Sequence, residues 1–390
     1  MRISTKISQV KPSATLAVSA KAMELRAQGR DIISLSVGEP DFDTPQHIRD
    51  AAKQALDDGF TRYTQVPGIP ELRDAVAQYF NTHYGTNAKA DCTIVTNGGK
   101  QALYNLLLCL LNPGEEVLIP GPYWVSYPAM VELADGVPVT VSAPASKGFK
   151  IDVEQLEAAR TEKTRVLILN SPSNPTGAQY TEAELFAIAE WAVAHDVFII
   201  SDEIYDQLVY GSAGSVSLSS FWEKHPEHVA VVNGLSKSFA MTGWRIGYAL
   251  AHPDLIKAMS RVQSQSTSNI CSIAQRAALA ALTGPTDMLE DMRQAFVRRR
   301  DKAMAIVSGW KGVVCPKPEG AFYLFPDVSA LYGERFADSA SLCTLLLEEA
   351  GVATVPGVAF GDDNCIRFSY ALADETVEKA LKKIEAVLYK

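Results

Sequence analysis

Apolar and polar positions along the chain follow two alternating periods. Short runs rich in aliphatic and β-branched residues occur at Cys92–Thr96, Glu116–Ile119, Arg165–Leu169, Val197–Ser201, Val229–Asn233 and Arg245–Leu250. Amphipathic stretches such as Gln101–Leu111 and Thr181–His195 separate most of them, and this alternation favours a largely parallel sheet. Upstream, Thr44-Pro45 reads as an N-cap and first-turn proline of a helix running to about Asp57 and stopped by Gly59. Gly68-Ile69-Pro70 opens another, Glu71 to about Phe80. Near Asp287 the pattern changes to long charged helices, then to short strands around Ala321–Leu324, Ala353–Val355 and Cys365–Tyr370. A final amphipathic helix covers Ala373–Leu388. The expected fold class is α/β, with a large domain of mostly parallel mixed sheet flanked by helices and a smaller α+β domain from the C-terminal third plus the N-terminal segment.

Composition narrows the picture without changing it. With 390 residues, 47% apolar and 21% charged, the chain is an ordinary globular one, long enough for two domains. The formal charge of −9 argues against a nucleic-acid partner. The run Arg298-Arg299-Arg300 reads as a solvated helix face. No apolar run is long enough to cross a membrane, and the N-terminus lacks the apolar stretch of a signal peptide. Six widely spaced cysteines read as small buried hydrophobes, not as a disulfide frame or zinc site, so a cytoplasmic protein is expected.

Candidate chemistry lies where the strands end, since ligands of open α/β sheets bind beyond the carboxyl ends of the strands. The first run ends in Asn97-Gly98-Gly99-Lys100 and the second leads to Pro122-Tyr123-Trp124. The third ends in Asn170-Ser171-Pro172-Ser173-Asn174-Pro175, the fourth in Asp202-Glu203-Ile204-Tyr205, and the fifth in Leu235-Ser236-Lys237-Ser238. Familiar explanations fail on spacing. No two glycines are two apart, which excludes the dinucleotide fingerprint; Ile94 and Gln101 stand where a P-loop around Lys100 needs Gly and Ser/Thr; and Ser238 breaks a nucleophile elbow at Ser236. His225-x-x-His228 has no companion ligand and reads as surface.

The remaining set suits a small anionic aromatic cofactor. Gly98, Gly99 and Lys100 open a helix whose free amides face an anion, and Ser236 and Arg245 can add a hydroxyl and a guanidinium to the same phosphate. Trp124 offers a stacking face, Asp202 a partner for a ring nitrogen, Asn174 and Tyr205 hydrogen bonds to a ring oxygen, and Lys237 an amine for a Schiff base. Taken singly, Asp202 reads equally as a helix cap, Trp124 as core and Arg367 as an edge charge; together the set specifies pyridoxal 5′-phosphate.

On these residues the chain resembles the class I, fold-type I aminotransferases over its whole length. Within them it looks most like the bacterial 1β aspartate aminotransferases, some of which also act on prephenate. The resemblance rests on KPSAT (11–15), SVGEPDFDTP (36–45), TRYT (61–64), GGKQAL (98–103), PYWVSYP (122–128), SPSNPTG (171–177), SDEIYD (201–206), SKSFAMTGWRIGY (236–248) and IRFSYA (366–371), in that order. It implies a large cofactor-binding domain over 48–287 and a small domain of 1–47 with 288–390. It makes Lys237 the Schiff-base lysine and proton shuttle, Asp202 the pyridine-nitrogen partner, and Asn174 and Tyr205 the partners of the ring oxygen. Trp124 becomes the stacking ring, and Ser236, Arg245 and the Gly99 and Lys100 amides hold the phosphate. Tyr63 is implied to reach the phosphate of a neighbouring subunit, hence a homodimer with shared active sites. Arg367 is implied to clamp the substrate α-carboxylate beside Gly38. Lys100 with Ser13 and Thr15 then selects an acidic side chain, and Lys11 matches a lysine associated with prephenate. The expected reaction is ping-pong transamination between aspartate or glutamate and 2-oxoglutarate or oxaloacetate. The rivals are a prephenate or aromatic aminotransferase and a C–S β-lyase on the same fold. A cofactor-binding regulator without catalysis needs a DNA-binding extension or a lost lysine, and neither is seen.

Overall fold

The computed structural model describes residues 1–211 and 214–390. Its centre is a seven-stranded sheet: β1 (Thr93–Asn97), β2 (Glu116–Gly121), β3 (Val137–Ser142), β4 (Thr164–Asn170), β5 (Phe198–Asp202), β6 (Val229–Gly234) and β7 (Ile246–Leu250). The spatial order is β1-β7-β6-β5-β4-β2-β3. Only β7 runs antiparallel to its neighbours, while the other pairings are parallel. Because β7 is reversed, its first residues share an edge with the carboxyl ends of the remaining strands.

Alternate residues of these strands enter two separate apolar layers, as a period-2 backbone demands. Val95, Leu118, Leu167, Ile199 and Val231 pack on one face with Leu72, Phe80, Leu185 and Ala277. Ile94, Val117, Val166, Ile200 and Val232 pack on the other with Leu103, Leu106 and Met259. Helices on both faces explain why the central strands read as unbroken apolar runs.

The C-terminal third forms a three-stranded antiparallel sheet from Tyr323–Leu324, Val355–Pro356 and Ile366–Ser369. Helices Asp287–Val307 and Asp374–Leu388 flank it around a core of Phe296, Phe322, Phe368 and Ile384. The N-terminal segment joins this part: Ile33–Ser34 pairs in parallel with Val352–Ala353, and Leu35 enters the same core.

Several expectations need correction. The edge strand β3 was not anticipated; it is half exposed and contains Pro138, so neither a buried run nor a clean alternation marks it. Thr44 does not cap the helix Gln46–Asp57, where Pro45 takes that place; its hydroxyl donates to the Ala240 carbonyl instead (2.7 Å). Arg245 precedes β7 in a left-handed conformation, φ +58°. The triplet at 298–300 is not one solvated face, because successive helical residues are turned about 100° from each other. Arg298 is exposed, whereas Arg299 and Arg300 are buried. Cys271 is exposed, only Cys343 and Cys365 are fully buried, and His225 and His228 are half-buried.

A buried acid behind the sheet edge carries a stability prediction. Glu203 accepts from the Ser201 hydroxyl (2.7 Å) and the Leu218 amide (2.9 Å) through one oxygen, and the other has no partner. Burial pushes its carboxyl up to about 7. A carboxyl raised above its unfolded value stabilises the fold below the unfolded pKa and loses that contribution as pH rises through the folded one. Glu203→Gln is therefore expected to flatten the fall in thermal stability between about pH 5 and 8. The gain over the parent at pH 8 should be on the order of 1–3 kcal/mol, read by pH-dependent melting.

Candidate active site

The strand ends and the reversed start of β7 enclose a cavity of about 760 Å³. Of the residues picked out from the sequence, Gly99, Lys100, Trp124, Asn174, Asp202, Tyr205, Ser236, Lys237, Arg245 and Arg367 line it, together with Ser13, Thr15 and Gly38 from the N-terminal segment. Gly98, Lys11 and Tyr63 do not line it; Gly98 lies in the turn just before Gly99, Lys11 is exposed and Tyr63 is 91% exposed.

One end of the cavity is built by a turn that favours glycine. Gly98 has φ +78° and opens the helix Gly99–Leu110, whose first amides lack intrahelical acceptors. A Cβ on Gly98 would strike the Arg245 guanidinium, so the turn and that side chain fit one another. Arg245 is anchored through one nitrogen to the Thr242 carbonyl (2.8 Å), and Ser236 adds a hydroxyl to the cavity wall. Lys100 lies over the Trp124 ring, its amine 4.8 Å from the centroid, and burial followed by the nearby Arg245 lowers its pKa.

Asp202 ends β5 and is buried. It accepts from the Tyr127 hydroxyl (2.7 Å) and the Ile204 amide (3.3 Å). Burial raises its carboxyl to about 6, against the pull of those hydrogen bonds and of Lys237. The Lys237 amine donates to the Gly38 carbonyl (2.7 Å), and burial lowers it to about 8. Gly38 needs to be glycine, since a side chain there would collide with the Tyr323 hydroxyl. That hydroxyl in turn bonds the Tyr205 hydroxyl (2.9 Å).

Arg367 is 2% exposed yet has no carboxylate partner. Its two terminal nitrogens donate to the Asn174 side-chain oxygen (2.9 Å) and the Ser36 carbonyl (2.6 Å), Nε has no partner, and the guanidinium lies over the Tyr323 and Phe360 rings. Burying a guanidinium against neutral acceptors is costly, and an incoming carboxylate offsets that cost. The cavity of this acidic protein is thus lined by five cations, Arg26, Lys100, Lys237, Arg245 and Arg367, with Glu39 and Asp202 as acidic groups.

Sequence reading gave no role to Tyr127, Tyr323, Asn170 or Ser36, although each stands in a run or motif it picked out. Asn170 locks two strand ends, donating to the Asp202 carbonyl (2.8 Å) and accepting from the Asn174 amide (2.8 Å). Tyr127 lies three residues past Trp124 in PYWVSYP. No group of His, Cys, Asp or Glu among the described residues could hold a metal ion, and no helix among them is long and apolar enough to cross a membrane.

Comparison with known proteins gives the family. Residues 30–384 match the family model of class I and II aminotransferases. The aspartate/prephenate aminotransferase of Cereibacter sphaeroides is 50% identical over 98% of both chains. The aspartate aminotransferase of Bacillus subtilis is 46% identical over the full length of both. Among solved structures, the Thermus thermophilus aspartate aminotransferase with maleate superposes with a TM-score of 0.94 at 46% identity, covering 99% of this chain and all of that one. The chain therefore belongs to the class I and II aminotransferases.

Proposed function

We propose that this aminotransferase moves the amino group between an acidic amino acid, aspartate or glutamate, and 2-oxoglutarate or oxaloacetate, with pyridoxal 5′-phosphate as resident cofactor. The observation that carries the reading is the buried Arg367, held only by neutral acceptors and free at Nε, in the same cavity as a second unpaired cation, Lys100. One guanidinium suits the α-carboxylate, and the second cation, with Ser13 and Thr15, suits an acidic side chain.

The residues present fit the cofactor. The Gly98 turn, Ser236 and Arg245 form a cradle for a dianionic phosphate. Asp202, whose burial works against its own charge, gains when a protonated ring nitrogen is brought to it. Asn174 and Tyr205 supply hydrogen bonds for the ring oxygen, and Trp124 a face. When bound, pyridoxal phosphate supplies a carbonyl for the amino group and a ring that accepts electron density from the substrate α-carbon. The chain does the rest. Asp202 holds a proton at the ring nitrogen, and Arg367 orients the substrate so that its α-hydrogen faces Lys237. Burial lowers the Lys237 amine to about 8, nearer to neutrality than an ordinary lysine, as suits a base that removes that proton and returns it elsewhere.

The same proposal takes 48–287 and 1–47 with 288–390 as two domains, supported by two apolar cores that meet where Tyr205 and Leu208 of the first domain enter the second core. It also takes a homodimer. A second cavity of about 560 Å³ opens beside Arg245, between Thr44, Asn97, Trp244 and Cys271, and gives room for a neighbour's Tyr63. Six free thiols fit a cytoplasmic setting. Prephenate is a second reading, favoured by the likeness to the Cereibacter enzyme.

The test is a half-reaction: single amino acids are added without an acceptor and the absorbance of the bound cofactor is followed. Aspartate and glutamate should convert the wild type. Lys100→Ala should lose about tenfold or more with these two while keeping its rate with uncharged amino acids. A preference for aliphatic amino acids that Lys100→Ala leaves untouched would overturn the substrate assignment. Pyruvate and ammonia released from a β-substituted amino acid would point to a lyase.

A further inference from the structure

One segment, residues 36–44, touches both working groups with backbone carbonyls. The Ser36 carbonyl accepts from Arg367 and the Gly38 carbonyl from Lys237. At one end Leu35 is stitched to the small sheet, its amide to Ala353 and its carbonyl to Ser369 (2.8 Å each). At the other, the Thr44 hydroxyl donates to Ala240, just past Lys237, and accepts from the Trp244 indole (3.0 Å). A carbonyl has no rotamer with which to correct its aim, so its direction depends on where the segment is held. Gly38 brings no side chain to help, and Pro40 no amide hydrogen.

The middle of the segment is held by one strong contact. Arg299, 7% exposed on the helix Asp287–Val307, grips Asp41 with both terminal nitrogens (2.6 and 2.9 Å). Its guanidinium lies 5.3 Å from the Phe42 ring centroid and 5.6 Å from that of Phe296. On its far edge Nε reaches Asp374, the first residue of the last helix (3.3 Å), which Arg298 and Lys302 also hold (3.0 Å each). A forked pair with one partner buried is among the stronger ionic contacts, unlike the exposed pairs that dominate the surface.

We propose that Asp41 and Arg299 are positioning residues for the reaction: their ion pair pins segment 36–44 so that the Ser36 and Gly38 carbonyls keep Arg367 and Lys237 in their working orientations. The proposal rests on the reading of Lys237 and Arg367 given above. It differs from a purely structural role in where damage appears. Asp374 shares Arg299 but lies outside the segment, so losing it loosens helix packing and leaves the carbonyls aimed.

The experiment compares wild type, Asp41→Asn, Asp41→Glu and Asp374→Asn. Maleate, an unreactive dicarboxylate, is titrated into the cofactor-loaded protein. Separately, Lys237 of the cofactor-free full chain is labelled with an amine reagent at pH 8 and quantified by mass spectrometry. Asp41→Asn should bind maleate about tenfold more weakly, within the usual range of coupling between sites, and should change the Lys237 labelling rate severalfold. Asp41→Glu should recover part of both, and Asp374→Asn should stay within about twofold of wild type in both. The proposal is overturned if Asp41→Asn matches wild type in both measurements, or if Asp374→Asn shows the same losses. Should Asp41→Asn fail to fold, Arg299→Lys, which keeps the charge and loses the fork, is judged by the same two measurements. Wild-type protein that neither binds maleate nor labels at Lys237 would bring down the reading of the site itself, and this proposal with it.

Discussion

Lys237→Ala is expected to fold, to retain the cofactor, and to lose single-turnover transamination by at least about 10⁴-fold, since in the proposed function one amine serves both as covalent anchor and as base. Folding should survive because Lys237 makes a single hydrogen bond, to the Gly38 carbonyl. Cofactor capture should survive because the phosphate cradle at Gly98, Ser236 and Arg245 and the partner at Asp202 remain. Lys237→Arg sharpens the test. It keeps the charge, but a guanidinium stays protonated at neutral pH and cannot take a proton, so it should be as inactive as the alanine variant. Stopped-flow absorbance on mixing with glutamate, together with a melting curve, reads both. An arginine variant within about a hundredfold of wild type would show that another group moves the proton.

The second large effect is expected at Arg367. Arg367→Ala should lower kcat/KM for glutamate by about 10²–10³-fold, the usual penalty for removing one member of a buried charge-assisted contact. Two losses combine here. The substrate carboxylate loses its guanidinium, and the Asn174 oxygen and Ser36 carbonyl lose their donors. Arg367→Lys restores the charge without the two-pronged geometry and should recover only part of the loss. The control is an amine without an α-carboxylate, whose slow turnover should not distinguish wild type from Arg367→Ala. A variant equally damaged towards that amine would assign Arg367 a structural role.

Much of this could be anticipated from residue order. The central strands other than β3 are short apolar runs rich in β-branched residues and bounded by turn residues, a pattern that suits strands buried on both faces. The chemistry at their ends follows, because parallel strands put their carboxyl ends on one rim: Asn174, Asp202, Tyr205 and Lys237 were legible for that reason. Gly98-Gly99-Lys100 was legible because glycine before a helix is a local backbone signal. Arg367, by contrast, is one arginine in a short alternating strand, and sequence by itself leaves it an edge charge until a resemblance is invoked. The edge strand β3 and the caps around Thr44 were illegible because their conformations depend on neighbours far along the chain.

Other features exist only in three dimensions. Tyr127 meets Asp202, Tyr323 meets Tyr205, and Arg299 meets Asp41, at separations of 75, 118 and 258 residues. No local pattern encodes such pairs. The burial of Arg299 against Asp41 and Phe42 and of Arg300 against Pro318 and Tyr210, next to an exposed Arg298, depends on what distant segments pack on each face of the helix. Likewise the shifts of Asp202 to about 6 and Lys237 to about 8 arise from burial, which follows from packing and not from residue type. Local propensity and period thus determined the strands, the rim and the kinds of groups on it. Tertiary packing decided which groups touch, which charges are left without a counterion, and hence which protons the site can move, because dehydration and long-range contact are properties of the assembled core.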